Sequence, residues 1–146
     1  MDEPRVQVVL AAGAIMPEYL TEGSAGADLR ARLDSPLSIQ PGCRALVPTG
    51  VSVQIPAGFE AQVRSRSGLA VKHGVACLNS PGTVDSDYRG QIQVILINLG
   101  TMPYTISDGD RIAQLVIAPV AKVSFQISAQ LDHSDRGEGG FGSTGR

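Results

Sequence analysis

The chain has 146 residues, 42% of them hydrophobic, with 12 basic against 14 acidic side chains and a formal net charge of −2. That length predicts one domain that buries roughly 68–70% of its unfolded surface, and the evenly spread charge argues against a nucleic-acid or membrane electrostatic surface. No apolar run approaches the ~18 residues of a membrane span, and Met1-Asp2-Glu3-Pro4-Arg5 lacks the basic-then-apolar order of a signal peptide. Cys43 and Cys77 are too few for a disulfide framework or a cysteine metal cage, so two free, buried thiols in a reducing, cytoplasmic compartment are expected.

Short β-like runs follow one another along the chain. Residues 6–10, 27–33, 37–40 and 44–47 come first. Gly50-Val51-Ser52-Val53-Gln54-Ile55 alternates polar and apolar, as a half-buried strand should. Residues 59–64, 91–98, 111–117 and 123–127 continue the series. Pro41-Gly42, Pro56-Ala57-Gly58, Asn98-Leu99-Gly100 and Ser107-Asp108-Gly109-Asp110 are turn signals between runs. Residues 67–73 predict one short helical turn, and no window sustains helical spacing over about ten residues. The pattern predicts an all-β fold: an antiparallel sandwich, jelly roll or small barrel. Residues 1–135 are expected to form that single domain. Residues 136–146 carry five glycines and are expected to form a flexible tail.

The most informative stretch is Gly82-Thr83-Val84-Asp85-Ser86-Asp87-Tyr88-Arg89-Gly90, which sets two carboxylates, a phenol and a guanidinium between two glycines. It reads either as a surface hairpin or as a polar turn held on a stiff scaffold for function. An EF-hand is excluded, because position 5 would be Arg89 and position 12 would be Leu96. Gly23-Ser24-Ala25-Gly26 lacks the spacing of a nucleophile elbow, no phosphate loop of the Gly-x-x-x-x-Gly-Lys type occurs, and His73 and His133 have no partner at metal-ligand spacing.

Three segments and the tail supply anion-binding groups. Arg64-Ser65-Arg66-Ser67-Gly68 offers two guanidiniums and two hydroxyls; guanidinium forks and backbone N–H groups suit phosphate oxygens. Gly109-Asp110-Arg111-Ile112-Ala113-Gln114-Leu115 leads from a turn into a strand, and Ser24-Ala25-Gly26-Ala27-Asp28-Leu29-Arg30 places a carboxylate among small residues. Each also reads as an ordinary edge, hairpin or turn. In the tail, Phe141 can stack on a base, and Arg136, Ser143, Thr144 and Arg146 can hold phosphates. Ordering costs about 1–2 kcal/mol per residue, against about 1–3 for a stack and 1.5–3 for each charged hydrogen bond. Such a tail orders only on a ligand that presents both a base and phosphates.

Five segments in this order, Ser24-Ala25-Gly26-Ala27-Asp28-Leu29, Arg66-Ser67-Gly68-Leu69-Ala70, residues 82–90, residues 109–115 and residues 136–145, resemble the five motifs of the homotrimeric dUTP diphosphatases, or dUTPases. The resemblance implies a jelly-roll-like fold and a homotrimer whose active sites are assembled from all three subunits. It implies hydrolysis of dUTP to dUMP and pyrophosphate with Mg²⁺, limiting dUTP incorporation into DNA and supplying dUMP for thymidylate synthesis. By the same resemblance Asp85 would orient and deprotonate the attacking water, and Tyr88 would pack on the deoxyribose and exclude a 2′-hydroxyl. Asn79 and backbone groups around Gly82 and Val84 would read uracil. Arg66, Ser67, Gly68 and Gln114 would contact the phosphate chain or the water, and Asp28 would hold a water of the Mg²⁺ shell. Phe141 would stack on uracil, while Arg136, Gly142, Ser143 and Thr144 would grip the terminal phosphates. Arg111 matches its motif with either a phosphate or a structural role.

Two alternatives stand beside this. A dCTP deaminase-related enzyme would carry a glutamate where this chain has Ile95, and an apolar side chain cannot shuttle protons. A non-catalytic nucleotide-binding module would be marked by loss of Asp85 or of the tail motif, and both are present.

Overall fold

The computed structural model describes residues 3–145. Glycine and proline cut the chain into short pieces, which pair rather than extend. The strands are β1 (Gln7–Leu10), β2 (Ala27–Arg30), β3 (Leu37–Ile39), β4 (Arg44–Gln54), β5 (Phe59–Arg64), β6 (Val75–Cys77), β7 (Gly82–Val84), β8 (Gln91–Asn98), β9 (Tyr104–Ile106) and β10 (Arg111–Pro119). One helix, α1 (Ser67–His73), lies between β5 and β6. Two four-stranded sheets, ordered β1-β4-β8-β6 and β2-β10-β5-β7, and a small β3-β9 pair make up the molecule. Every pairing is antiparallel. The fold is the expected all-β, jelly-roll-like one.

Period-two alternation decides which side chains meet between the sheets. In β8, Ile92, Val94, Leu96 and Asn98 are buried while Gln93 is exposed. Val47, Val51 and Val53 of β4, Val63 of β5 and Leu115 of β10 join the same core. Asn98 lies fully buried; its Nδ2 donates to the carbonyls of Ile39 (2.9 Å) and Met102 (2.8 Å), and its Oδ1 accepts from Gly100 N–H (2.9 Å). It ties β8 to β3 and to the loop before β9.

Residues 44–47 and 50–55, expected as two runs, are largely one strand. The β4–β8 register shifts between Pro48 and Val51, where proline has no N–H for the ladder and Gly50 adopts φ +68°. Thr49 Oγ1 donates to Ile92 O (2.6 Å), and Gln91 Oε1 accepts Gly50 N–H (2.9 Å), so the bulge is pinned to β8. β6, β7 and β9, each three residues long, were not expected. The run at 123–127, expected as a strand, forms none: its residues are all exposed, Phe125 and Ile127 fully so, and no described strand pairs with them. Residues 67–73 make a seven-residue helix rather than a single turn, closed by Gly74 at φ 67°. Cys43 is exposed, contrary to the expectation of two buried thiols; only Cys77 is buried.

Candidate active site

The Asp85 turn sits where β7 leaves the second sheet. Tyr88 N–H bonds to Asp85 O (3.1 Å), closing the turn. Arg89 Nη1 donates to Ser86 O (2.7 Å) and Tyr88 O (3.2 Å), so this guanidinium braces the backbone. Asp85, Asp87 and Tyr88 are exposed. Asp85 and Thr83 border two clefts: one of about 280 Å³ shared with Leu46, Tyr88 and Gln91, the other of about 710 Å³ shared with Glu60, Asp87 and Lys122. Tyr88 Oη donates to Gln91 O at 2.9 Å. Gly82 is buried outside the left-handed region; a Cβ there would stand 3.1 Å from Asn79 Nδ2 and 3.3 Å from Val63 Cβ. Glycine at 82 thus lets the Asn79 amide approach the hairpin backbone. Val84 packs inward.

A second cluster forms at the far side of the same sheet. Asp28 of β2 is only 4% exposed, and its Oδ1 and Oδ2 lie 3.7 Å from Arg66 Nε and 3.4 Å from Arg111 Nη1. Arg66 Nη1 also donates to Arg111 O (3.2 Å). Gln114 faces Asp28 across the β2–β10 ladder, and its side chain fills the space a Cβ at Gly26 would take, 3.1 Å from Oε1. Ser67 and Gly68 are exposed at the start of α1. Ser65, in contrast, is structural: its Oγ accepts Cys77 N–H at 2.8 Å. Arg64 is drawn away to Gln62 Oε1 (3.0 and 2.6 Å).

The two clusters do not meet within one chain. Asp28, Gln114 and Arg64 share one row of the sheet, whereas Val84, next to Asp85, shares a row with Ala61 and Ile117. At ~3.3 Å per residue along a strand and ~4.8 Å between strands, Asp85 and Asp28 are roughly 15–20 Å apart.

The tail stands apart from both. It turns on itself through Gly137 N–H to Ser134 O (3.0 Å), Ser143 N–H to Gly140 O (3.0 Å) and Arg136 Nε to Gly139 O (2.7 Å). Phe141 takes φ 50° and its ring is fully exposed; Ser143 and Thr144 are exposed beside Gly142. Arg146 lies outside the described residues.

Tyr104, whose ring centroid lies 4.9 Å from that of His73, has its phenol pushed up by burial and by Asp110, against an opposing pull from Arg66. Sequence reading quoted Gly26 and Gly90 only as parts of their motifs; the structure makes them supports, with Gln91 beneath Tyr88. For the two glycines the signal was small size beside a motif residue; Gln91 carried none. No group of three His, Cys, Asp or Glu side chains able to hold a metal occurs among the described residues.

Comparison with known proteins agrees with this arrangement. The dUTPase family model matches residues 12–145. The deoxyuridine 5′-triphosphate nucleotidohydrolase of Rhizobium leguminosarum bv. trifolii is 59% identical, over 91% of this chain and 86% of its own. That of Chlamydia muridarum is 58% identical, over 93% and 94%. Among solved structures, the dUTPase of Staphylococcus bacteriophage 80alpha with dUPNHPP aligns at TM-score 0.85 and 29% identity, over 97% of this chain and 99% of that one. A mutant dUTPase from phage phi11 of S. aureus, described with a structural Mg(II) ion, aligns at TM-score 0.78 and 25% identity, over 86% and 97%. With the motifs, the jelly-roll-like sheets and these likenesses in accord over nearly the whole length, the chain belongs to the dUTPase family.

Proposed function

We propose that this dUTP-hydrolysing enzyme releases dUMP and pyrophosphate by water attack at the α-phosphorus, with Asp85 as general base. The observation that carries this reading is the Asp85 turn: a carboxylate exposed to water, bordering the cleft that Tyr88 also lines. Asp85 takes a proton as the water oxygen bonds to the α-phosphorus. The bond from that phosphorus to the bridging oxygen breaks, and the electron pair leaves with pyrophosphate. A base of this kind contributes typically ~10²–10⁴-fold. Tyr88 packs on the deoxyribose, while Asn79 and the backbone at Gly82 and Val84 read uracil. Arg66, Ser67, Gly68 and Gln114 hold the phosphate chain or the water. Residues 136–146 act as a flexible flap on the 1–135 domain, with Phe141 on the base and Arg136, Gly142, Ser143 and Thr144 on the terminal phosphates.

The donor set fits Mg²⁺ carried by the substrate. The described residues hold no carboxylate cage, and Asp28 Oδ1 is a buried acceptor without a hydrogen-bond partner, suited to a metal-bound water. When bound, Mg²⁺ orients the triphosphate and neutralises its charge.

The separation of Asp85 from the Asp28–Arg66–Gln114 cluster supports a homotrimer in which each site draws on several subunits. So do the apolar side chains of Val123, Phe125, Ile127 and Leu131, all exposed in one chain and in need of cover. The unpaired thiols accord with a cytoplasmic enzyme that limits uracil in DNA and supplies dUMP for thymidylate synthesis. The dCTP deaminase reading is disfavoured, because Ile95 places an apolar side chain opposite Leu46 on the outer face of β8.

Pyrophosphate release from dUTP, dCTP, dTTP and UTP tests the substrate assignment; turnover of dCTP in preference to dUTP would overturn it. Asp85→Asn tests the base. Turnover should fall ~10²–10⁴-fold while a non-hydrolysable dUTP analogue still binds, and full activity would sink the assignment.

A further inference from the structure

We infer that Gly90 is a positioning residue for sugar selectivity: its missing side chain is the seat of the Tyr88 ring. Gly90 is not in the left-handed region, unlike Gly50 or Gly109, so its backbone would accept an L side chain. What excludes one is Tyr88. A Cβ at position 90 would stand 2.6 Å from Tyr88 Cζ and 2.9 Å from Cε2, with Oη nearer still. Such distances lie well inside van der Waals contact. The ring therefore lies over a position that only glycine leaves vacant.

The rest of the seat is rigid. Tyr88 Oη donates to the carbonyl of Gln91 at 2.9 Å, so the tip of the ring is held by the residue after the glycine. The Gln91 side chain accepts the N–H of Gly50 in the β4 bulge, and Gln91 pairs with Ser52 in the β4–β8 ladder. At the other end, the turn bond from Tyr88 N–H to Asp85 O and the Arg89 brace hold the backbone. With its backbone held by the turn and its hydroxyl by Gln91 O, Tyr88 lines the cleft that it shares with Asp85. Tyr88 itself is 45% exposed, so a displaced ring has solvent to move into, and its tip is held by the hydrogen bond to Gln91 O.

The consequence is selective. In Gly90→Ala the new methyl meets the far end of a side chain that can move into solvent, so the ring leaves its seat and the fold survives. This rests on the reading of Tyr88 as the group that excludes a 2′-hydroxyl. With the ring displaced, discrimination between dUTP and UTP, measured as the ratio of their kcat/KM values, should fall roughly 10-fold. The Asp85 carboxylate keeps its place in the turn.

The test combines two readouts on Gly90→Ala, Tyr88→Ala and the double variant. Ring position is read from the NMR signals of labelled tyrosine, of which the chain has three, with Tyr88→Ala assigning the signal of interest. Selectivity is read from the kcat/KM ratio. The proposal expects Gly90→Ala to shift the Tyr88 signal and lower the ratio, and expects no further loss when Gly90→Ala is added to Tyr88→Ala, because the ring it would displace is gone. Should Tyr88→Ala lower the ratio while Gly90→Ala does not, or should the Tyr88 signal stay put, the seat is overturned and the sugar-gate reading survives. If Tyr88→Ala leaves the ratio unchanged, the sugar-gate reading fails and takes the selectivity role of Gly90 with it. A change of similar size in both backgrounds would mark Gly90 as acting on the turn rather than through the ring, and would also overturn the proposal. Thermal unfolding of all three variants near the parent midpoint separates these outcomes from misfolding.

Discussion

Asp28 Oδ2 lies 3.4 Å from Arg111 Nη1, with the carboxylate almost wholly buried and the guanidinium 37% exposed. Arg66 closes the other side at 3.7 Å. Asp28→Ala would leave two guanidiniums facing each other without a counter-charge. The expected loss of stability is about 1–3 kcal/mol, below the ~3–5 of a fully buried pair because both arginines reach water. Urea unfolding measures it. Arg111→Ala should cost less, about 1 kcal/mol, since Arg66 still pairs with Asp28. Unchanged stability with lost dUTP turnover would instead place Arg111 on the phosphates.

Truncation before Gly137 removes Phe141, Ser143 and Thr144 but no residue of the buried core. The truncated chain should fold with its stability intact and lose most of its activity on dUTP. Normal turnover would rule out the flap. Phe141→Ala should raise KM by the value of one stack, about 1–3 kcal/mol, or roughly 5- to 150-fold.

Asn98 satisfies three backbone groups from a fully buried position. Asn98→Leu strands two carbonyls and the Gly100 N–H. At about 1–3 kcal/mol for an unsatisfied buried group, partly relieved by relaxation, a loss of about 2–4 kcal/mol is expected. The thermal midpoint should drop by roughly 5–15 °C. A midpoint within about 2 °C of the parent would contradict the tie between β8 and β3.

Burial pushes the Cys77 thiol above its ordinary 9.0, outweighing a hydrogen bond with Ser65 that pulls it down. The native chain therefore keeps a proton that the unfolded chain gives up. This contribution is fully present below pH 9.0 and is lost as the pH rises toward the folded value. Cys43, exposed just before β4, should react alone with an alkylating reagent at pH 8, and both thiols should react after unfolding. Labelling of Cys77 at the rate of Cys43 in the native protein would contradict its burial.

Much of this was legible in the order of residues. Alternation at residues 50–55 showed a strand because a half-buried sheet imposes a period of two; β5, β8 and β10 showed as short apolar runs, and Gly and Pro marked the turns because few other residues suit them. The helix at Ser67–His73 was visible but short. Residues 123–127 carried the same alternation and formed no strand, because a strand needs a partner ladder and no described strand pairs with them. Periodicity reports which face is apolar, not what covers it.

The sequence by itself determined the chemistry present: Asp85 and Tyr88 between glycines, the arginines of the second and fourth motifs, and an aromatic in a glycine-rich tail. It also determined the all-β class, since local pattern and turn chemistry act over a few residues. Only the tertiary structure decided which groups are neighbours. Register across β2, β10, β5 and β7 brought Asp28 to Arg66, Arg111 and Gln114 and kept all four far from Asp85. Packing across single ångströms gave Gly26, Gly82 and Gly90 their purpose beneath Gln114, Asn79 and Tyr88. Those contacts join residues through ladder geometry and excluded volume, which linear spacing does not encode.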